Sequence, residues 1–360
     1  MLTSQIEKIK KEYPNNLMAR HFDQAFFDSL DKTQQDKLQR MMKSGLEHPE
    51  SEMGIYVCHA DEYSLFSPYL DNVICDYHQV ENITLKDSNW EINSDLDLAR
   101  IDPSLANSSM RVRVGRNVAE FPLPASMSQD DRVAFENVMI NIFKKLIKNP
   151  LFGGRYVSLT PDCEYEISNE QYAQLVAEHK MFKDMSGDPY LASAGINGNW
   201  PYGRGMYISE DEQFIIWVGE EDHLRIMVMK HGAMLNNIFS RLHQALLFIE
   251  EQGLSFAYSA PYGFITSCPT NLGTAMRASL HILLPKLTEQ GQDLTELKSI
   301  AKSLKLSVRG ADGEHSQAGK GGIVDISPTA RLMVSEREIA QKLYQGIRTL
   351  WKLERNVIPK

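Results

Sequence analysis

Apolar positions recur at helical spacing in the first part of the chain and at strand spacing later. Residues 1 to about 80 read as mainly helical. Asp61 is placed to cap a helix whose Tyr63, Phe66, Tyr69, Leu70, Val73, Ile74 and Tyr77 fall on one face, with Pro68 splitting or starting it. A polar helix is predicted over 32–44, stopped by Gly45. Residues 79–107, rich in Asp, Asn and Ser, read as a connector. The pattern then changes. Strands are predicted at 111–118, 154–159, 205–210, 214–219, 224–230, 255–258, 263–267, 277–283, 305–309 and 323–327. Amphipathic helices interrupt them. Ser128 caps one that carries Phe135, Val138, Met139, Ile142, Phe143, Leu146 and Ile147, and another spans about 234–252 and ends at Gly253. Short polar turns between 205–210, 214–219 and 224–230 predict an antiparallel meander.

At 360 residues the chain has room for two domains and a large core. Its net charge of −9 argues against a non-specific nucleic-acid binder. Cys58, Cys75, Cys163 and Cys268 lie far apart with no CxxC pair, which disfavours a zinc site and favours reduced thiols in a cytoplasmic protein. No apolar run reaches the roughly 18 residues of a membrane span, and the amphipathic N-terminus has no signal-peptide core.

Four stretches carry candidate chemistry. Ser267-Cys-Pro-Thr-Asn-Leu-Gly-Thr-Ala-Met-Arg277 places a thiol at a strand end, in a tight turn whose backbone N–H groups favour anions and a thiolate. Taken alone, Cys268 equally fits a packed core cysteine. Trp217-Val-Gly-Glu-Glu-Asp-His-Leu-Arg-Ile226 ends a strand with three acids, a histidine and Arg225. Met110-Arg-Val-Arg-Val114 alternates, so Arg111 and Arg113 share one strand face. Val308-Arg-Gly-Ala-Asp-Gly-Glu-His315 is a glycine-rich loop bearing Arg309 and Glu314. Any one of these arginines fits a surface ion pair as well as a ligand contact.

Together, in this order, the four stretches resemble the phosphagen (guanidino) kinase family, most of all the arginine kinases, from about residue 10 to about residue 350. The resemblance implies an α+β fold: a small all-helical N-terminal domain over 1–90, then a catalytic domain over 91–360 with an antiparallel sheet flanked by helices, of the glutamine-synthetase-like kind. It implies reversible, in-line transfer of the ATP γ-phosphoryl group to the guanidino group of L-arginine, buffering ATP. It assigns Arg111, Arg113, Arg225, Arg277 and Arg309 to the nucleotide phosphates, with His179 and His281 near the nucleotide. Neither a Walker A pattern nor a protein-kinase His-Arg-Asp or Asp-Phe-Gly set is present, so arginine forks carry the phosphate binding. Mg²⁺ is expected to arrive on the nucleotide, largely hydrated, with no metal site of the protein's own; Glu220, Glu221 and Asp222 are candidates to assist through water.

By the same resemblance, Glu221 and Glu314 orient the acceptor guanidinium and Cys268, as thiolate, adds a third negative contact. Ser51, Glu52, Met53, Gly54 and Tyr56 match the short loop that receives the amino-acid end of arginine. Three departures stand out: Glu52 replaces a glycine, Asp312 replaces an arginine, and 316–322 is one residue longer than usual. Taurocyamine or lombricine as acceptor, or arginine side chains in proteins, are the alternative substrates. The expected partners are ATP/ADP and arginine/phosphoarginine, with no nucleic acid and no membrane, in a monomer or homodimer.

Overall fold

The computed structural model describes residues 2–93, 95–310, 319 and 321–356. Seven helices occupy the N-terminal region: α1 Leu2–Glu12, α2 Leu17–Arg20, α3 Gln24–Ser29, α4 Lys32–Met41, α5 Lys43–Glu47, α6 Glu62–Leu65 and α7 Ser67–His78. Local chemistry starts several of them. Asn16 accepts from the Ala19 N–H to cap α2, and Asp31 and Gln34 form a capping box on α4. Tyr63, Phe66, Tyr69, Leu70, Val73 and Ile74 form the predicted buried stripe.

Two helix boundaries differ from the sequence reading. Gly45 does not stop a helix but lies inside α5, because its missing side chain lets the backbone pack against Gly54. Asp61 occupies the N-cap position of α6 without a side-chain cap, since its own backbone is already helical (φ −70°, ψ −19°). Instead Glu62, fully buried, accepts from the Cys58 and His59 N–H groups at 2.9 and 3.1 Å. The break between α6 and α7 falls at Phe66, with Pro68 in the first turn of α7, where its missing N–H costs nothing.

Among the described residues, the remainder carries ten strands: β1 Ser108–Arg116, β2 Gly154–Ser158, β3 Gly205–Ser209, β4 Phe214–Val218, β5 Leu224–Gly232, β6 Tyr258–Ser259, β7 Gly263–Phe264, β8 Met276–Leu283, β9 Leu306–Gly310 and β10 Ile323–Pro328. Eight form one antiparallel sheet in the order β2-β3-β4-β5-β1-β8-β10-β9. The predicted meander is β3-β4-β5. Helices α8 Gln129–Leu146, α9 Asn169–Ala177, α10 Pro189–Ala194, α11 Leu235–Glu251, α12 Thr295–Ser303 and α13 Glu336–Asn356 flank it. Ser128 caps α8 in a box with Asp131. Val138 and Ile147 lie at the two edges of the α8 stripe and stay exposed. The strands predicted at 255–258 and 263–267 shrink to the two-residue pair β6–β7. Ile265 N–H still donates to Ala257 O, while the Ile265 carbonyl and the Ser267 N–H turn instead to the side chains of Asn117 and Asp222.

The chain divides into two compact units. The first comprises Met1–Leu85, Gly115–Ile226 and Ile249–Ala275; the second comprises Lys86–Val114, Met227–Phe248 and Met276–Lys360. Among the described residues no helix is long and apolar enough to cross a membrane.

Candidate active site

In the second unit, register alone gathers an arginine face. On β1, Met110, Val112 and Val114 are buried while Arg111 and Arg113 alternate onto the opposite, half-buried side. Directly paired residues of antiparallel strands share a face. Arg111 pairs with Ser279 and Arg113 with Arg277. Asp325 of β10 lies opposite both His281 and Arg309. Arg111, Arg113, Arg277, His281 and Arg309, five of the predicted nucleotide residues, therefore stand on one surface.

Cations held this close repel one another, and the structure shows it. Burial lowers the Arg277 pKa, and Arg309 and Arg331 lower it further, while Asp325 opposes them. Arg277 reaches Asp325 Oδ2 at 2.5 Å and Ser327 Oγ at 3.3 Å. Among the described residues the other Asp325 oxygen, Oδ1, is buried without a hydrogen-bond partner. Arg111 Nη2 rests against Met227 Sδ at 2.9 Å. Such a face is prepared for a polyanion, because planar guanidinium forks match phosphate oxygens two at a time.

The first unit holds the carboxylate and the thiol. Glu221 sits in the turn after β4, opened by Gly219 at φ +75°, where a Cβ would lie 2.4 Å from the Gly203 carbonyl oxygen. The turn is closed by Gly219 N–H donating to the His223 carbonyl at 2.9 Å. Arg204, fully buried, braces it by donating to Gly219 O at 3.2 Å, and also to Tyr202 O and Ile196 O. Arg225 Nη2 pairs with Glu220 at 2.8 Å and Glu221 at 3.5 Å, its guanidinium 5.4 Å from the Trp217 ring centroid.

Of the three acids, Asp222 is structural. It is buried, and its Oδ1 accepts from Asn117 Nδ2 and from Ser267 N–H, both at 2.7 Å. Gly115 is required beside it, since a Cβ there would meet Asp222 Oδ2 at 2.7 Å. His223 Nδ1 accepts from the Val118 N–H at 2.9 Å, so Nε2 carries the proton and donates to Pro122 O at 2.8 Å. Complete burial lowers the His223 pKa to about 4. Asn117 adds two bonds, donating to Ile265 O and accepting from His223 N–H. This buried knot ties the Glu221 turn to the Cys268 segment.

Cys268 is 5% exposed and lies close enough to Glu221 for the two to interact electrostatically. The surroundings of Cys268 in the free protein work against the expected thiolate. Burial pushes the thiol up to about 12, and Glu221 and Asp222 push the same way. Thr270 opposes them through its hydroxyl, 3.1 Å from Sγ, and its backbone N–H, but does not prevail. With no cation beside it, this environment favours the thiol form of Cys268.

The 51–56 loop is anchored in the same unit. Leu17 N–H donates to Glu52 O at 2.8 Å, Ser51 Oγ accepts from Gly54 N–H at 3.1 Å, and Val57 N–H donates to Ser267 O at 2.8 Å. The last bond joins the loop directly to the residue before Cys268. Met53 and Gly54 are buried, Ser51 and Tyr56 half-buried, and Glu52 is exposed. The Tyr56 phenol is raised well above its usual range, first by burial and then by Cys268, Glu221, Asp188 and Glu220. His179 is exposed at the end of α9, with a left-handed φ of +57°. Glu314 lies outside the described residues, as do Asp312 and most of 316–322. Among the described residues no three His, Cys, Asp or Glu side chains gather to hold a metal.

Sequence reasoning did not single out Asn117, Arg204 or Asp325, gave His223 no role of its own, and took Gly45 only as a helix stop. Each acts through a partner distant in sequence, so periodicity carries no trace of them; only Gly115, interrupting an alternating strand, was a visible signal.

The family model for the ATP:guanido phosphotransferase C-terminal catalytic domain matches residues 134–357, and that for the N-terminal domain matches 12–75. Arginine kinase Oct f 2 of Amphioctopus fangsiao is 35% identical over 347 residues, covering 95% of each chain. The arginine kinase of Penaeus monodon is 35% identical over 346 residues, covering 95% of this chain and 93% of its own. Among solved structures, lombricine kinase superposes with a TM-score of 0.84 at 25% identity, over 96% of this chain and 93% of that one. The duplicated taurocyamine kinase of Schistosoma mansoni, with bound transition state analog components, gives 0.83 at 30% identity, over 98% of this chain and 48% of that one.

Proposed function

The chain belongs to the ATP:guanido phosphotransferase (phosphagen kinase) family, and from that premise we propose that it is an arginine kinase, making phosphoarginine reversibly from Mg-ATP and L-arginine. The observation that carries the nucleotide half is the cross-strand alignment of Arg111, Arg113, Arg277 and Arg309. Phosphoryl transfer asks mainly for charge neutralisation and in-line placement. In the proposed reaction these four forks and Arg225 hold the triphosphate, with His281 and His179 near the nucleotide. Mg²⁺ travels with ATP and supplies further charge neutralisation.

The acceptor guanidinium is a poor nucleophile because its lone pairs are delocalised over a cation. Glu221 and Glu314 orient it and take its proton. Cys268 adds a contact that strengthens as the guanidinium arrives, since an adjacent cation pulls the thiol pKa down. Ser51, Glu52, Met53, Gly54 and Tyr56 receive the amino-acid end. Support for arginine comes from the relatives at about 35% identity and from the loop's shortness. We assign the domains as 1–90 and 91–360 and the compartment as the cytoplasm.

Incubating the protein with Mg-ATP and arginine, taurocyamine, lombricine or creatine, and following the ³¹P spectrum for an N–P resonance, tests the reading. Arginine is expected to give the strongest signal. A signal with taurocyamine or lombricine alone reassigns the acceptor, and phosphate appearing only on a protein substrate overturns the small-molecule reading.

A further inference from the structure

We propose that Thr160 is a positioning residue for Glu221, linking a buried carboxylate, Glu136 of α8, to the backbone on which the Glu221 turn rests. This depends on the role proposed above for Glu221, and every residue concerned lies in the first unit. Glu136 is 2% exposed and accepts three hydroxyl hydrogen bonds. Tyr156 Oη and Ser158 Oγ donate to its Oε1 at 2.7 and 2.6 Å, and Thr160 Oγ1 donates to its Oε2 at 2.5 Å. The Thr160 oxygen in turn accepts from the Gly203 N–H at 2.8 Å. A hydroxyl whose proton is given to a carboxylate keeps its lone pairs for another donor and is the stronger acceptor for it. Tyr156 and Ser158 help to satisfy the buried charge; only Thr160 also passes its hold on to Gly203.

Gly203 cannot shift without disturbing the turn. The β2–β3 ladder ends where Ser158 faces Gly205, so a side-chain hydroxyl supplies the acceptor that a further rung would have given Gly203. Leu159 N–H donates to Arg204 O at 2.8 Å, and residues 159–160 therefore grip 203–204 at two points. From the α8 side Gly203 is wedged at φ +70°: a Cβ there would lie 2.5 Å from Arg132 Cβ, one helical turn ahead of Glu136. On its other side the Gly203 carbonyl oxygen packs against Gly219, the residue that opens the Glu221 turn, and Arg204 donates to Gly219 O. The path from Glu136 to the turn thus runs through Thr160 Oγ1 and the Gly203 peptide. Glu221 stands two residues beyond its end.

Breaking this path misplaces Glu221 and spares the nucleotide. Thr160→Val keeps the volume and removes the hydroxyl. With arginine as acceptor it is expected to lower kcat about tenfold, the scale of a small misplacement of a reacting group, with the ATP KM within about twofold of the parent. Thr160→Ser retains the hydroxyl and lies near the parent. Tyr156→Phe removes a hydroxyl from the same carboxylate but leaves Ser158 on Oε1 and the Oε2–Thr160–Gly203 path whole, so its kcat stays within about twofold. Glu136→Gln attacks the path from its other end. Two hydroxyls donate on the Oε1 side, so the amide oxygen belongs there and its N–H₂ faces Thr160, whose hydroxyl then loses its acceptor. Its kcat falls with that of Thr160→Val, and the double variant is no worse than the worse single. Should Thr160→Val fail to fold, Glu136→Gln against Tyr156→Phe makes the same comparison. Amide exchange gives a readout that needs no turnover. Gly219 N–H, which closes the turn on His223 O, should exchange about tenfold faster in Thr160→Val or Glu136→Gln and at the parent rate in Tyr156→Phe. Equal losses of kcat in Tyr156→Phe and the path variants, or unchanged Gly219 exchange, overturns the positioning role. If the parent phosphorylates no small guanidine while Gly219 exchange responds in this pattern, the reading of Glu221 fails and the path to its turn stands.

Discussion

Gly45 and Gly54 touch backbone to backbone: a Cβ on Gly45 would lie 2.8 Å from the Gly54 Cα, and Gly45 N–H donates to Gly54 O at 3.0 Å. The contact fixes the candidate specificity loop to the helix before it, and it explains why a glycine inside α5 is worth its intrinsic helix penalty.

That contact makes both glycines sensitive to substitution. Gly54 has φ +69°, so Gly54→Ala should cost about 1–2 kcal/mol from the left-handed backbone alone. Gly45→Ala should cost about 1–3 kcal/mol by overpacking. Urea unfolding checks both, and each is expected to raise the acceptor KM more than the ATP KM. Unchanged stability in both would remove the close contact as their reason.

Cys268 should be slow to react. With its thiol pushed up to about 12, alkylation of the free protein should show no inflection at Cys268 up to pH 10. An inflection below pH 9, followed by mass spectrometry, would contradict the burial argument. Turnover should still depend on this residue, with Cys268→Ala reducing kcat about 10²–10³-fold. Cys58→Ala and Cys163→Ala should have far smaller effects.

His223 should make the protein sensitive to mild acid. Its pKa in the folded chain is lowered to about 4 from an ordinary value of 6.5, so the unfolded chain binds the proton more tightly. The stability it contributes is complete above pH 6.5 and is lost as pH falls through 6.5 towards 4. From pH 7 to pH 5 the loss should be about 2 kcal/mol. Urea midpoints for the parent and for His223→Gln at the two values test this; a variant as pH-dependent as the parent would rule out His223 as the titrating group.

The arginine face should trade stability for binding. Arg113→Gln should raise the ATP KM about 10- to 100-fold, the scale of a charge-assisted contact to phosphate. Asp325→Ala should instead destabilise by about 3 kcal/mol, since it leaves Arg277 buried without its carboxylate. Thermal unfolding and ATP titration separate the two; an unchanged ATP KM in Arg113→Gln would count against its place on the phosphate face.

Much of the architecture was legible in the residues alone. Alternation on β1 put Arg111 and Arg113 on one face, and the turns at 210–213 and 219–223 announced the meander, because period and turn chemistry act over a few residues. The boundaries that failed were those decided by distant partners. Gly45 reads as a helix stop until Gly54 is placed against it, and in the strand predicted at 263–267 the Ile265 carbonyl and the Ser267 N–H bond to Asn117 and Asp222 side chains.

The sequence by itself determined which residue types stand at which positions, and hence the family and the arginines proposed to bind phosphate. Tertiary structure alone decided their states. Cross-strand register set Arg113 against Arg277 and Asp325 against Arg309, and burial beside Glu221 pushes the Cys268 thiol pKa up. The physical reason is that charge and protonation depend on desolvation and on neighbours within a few ångströms, and folding brings those neighbours from anywhere in the chain.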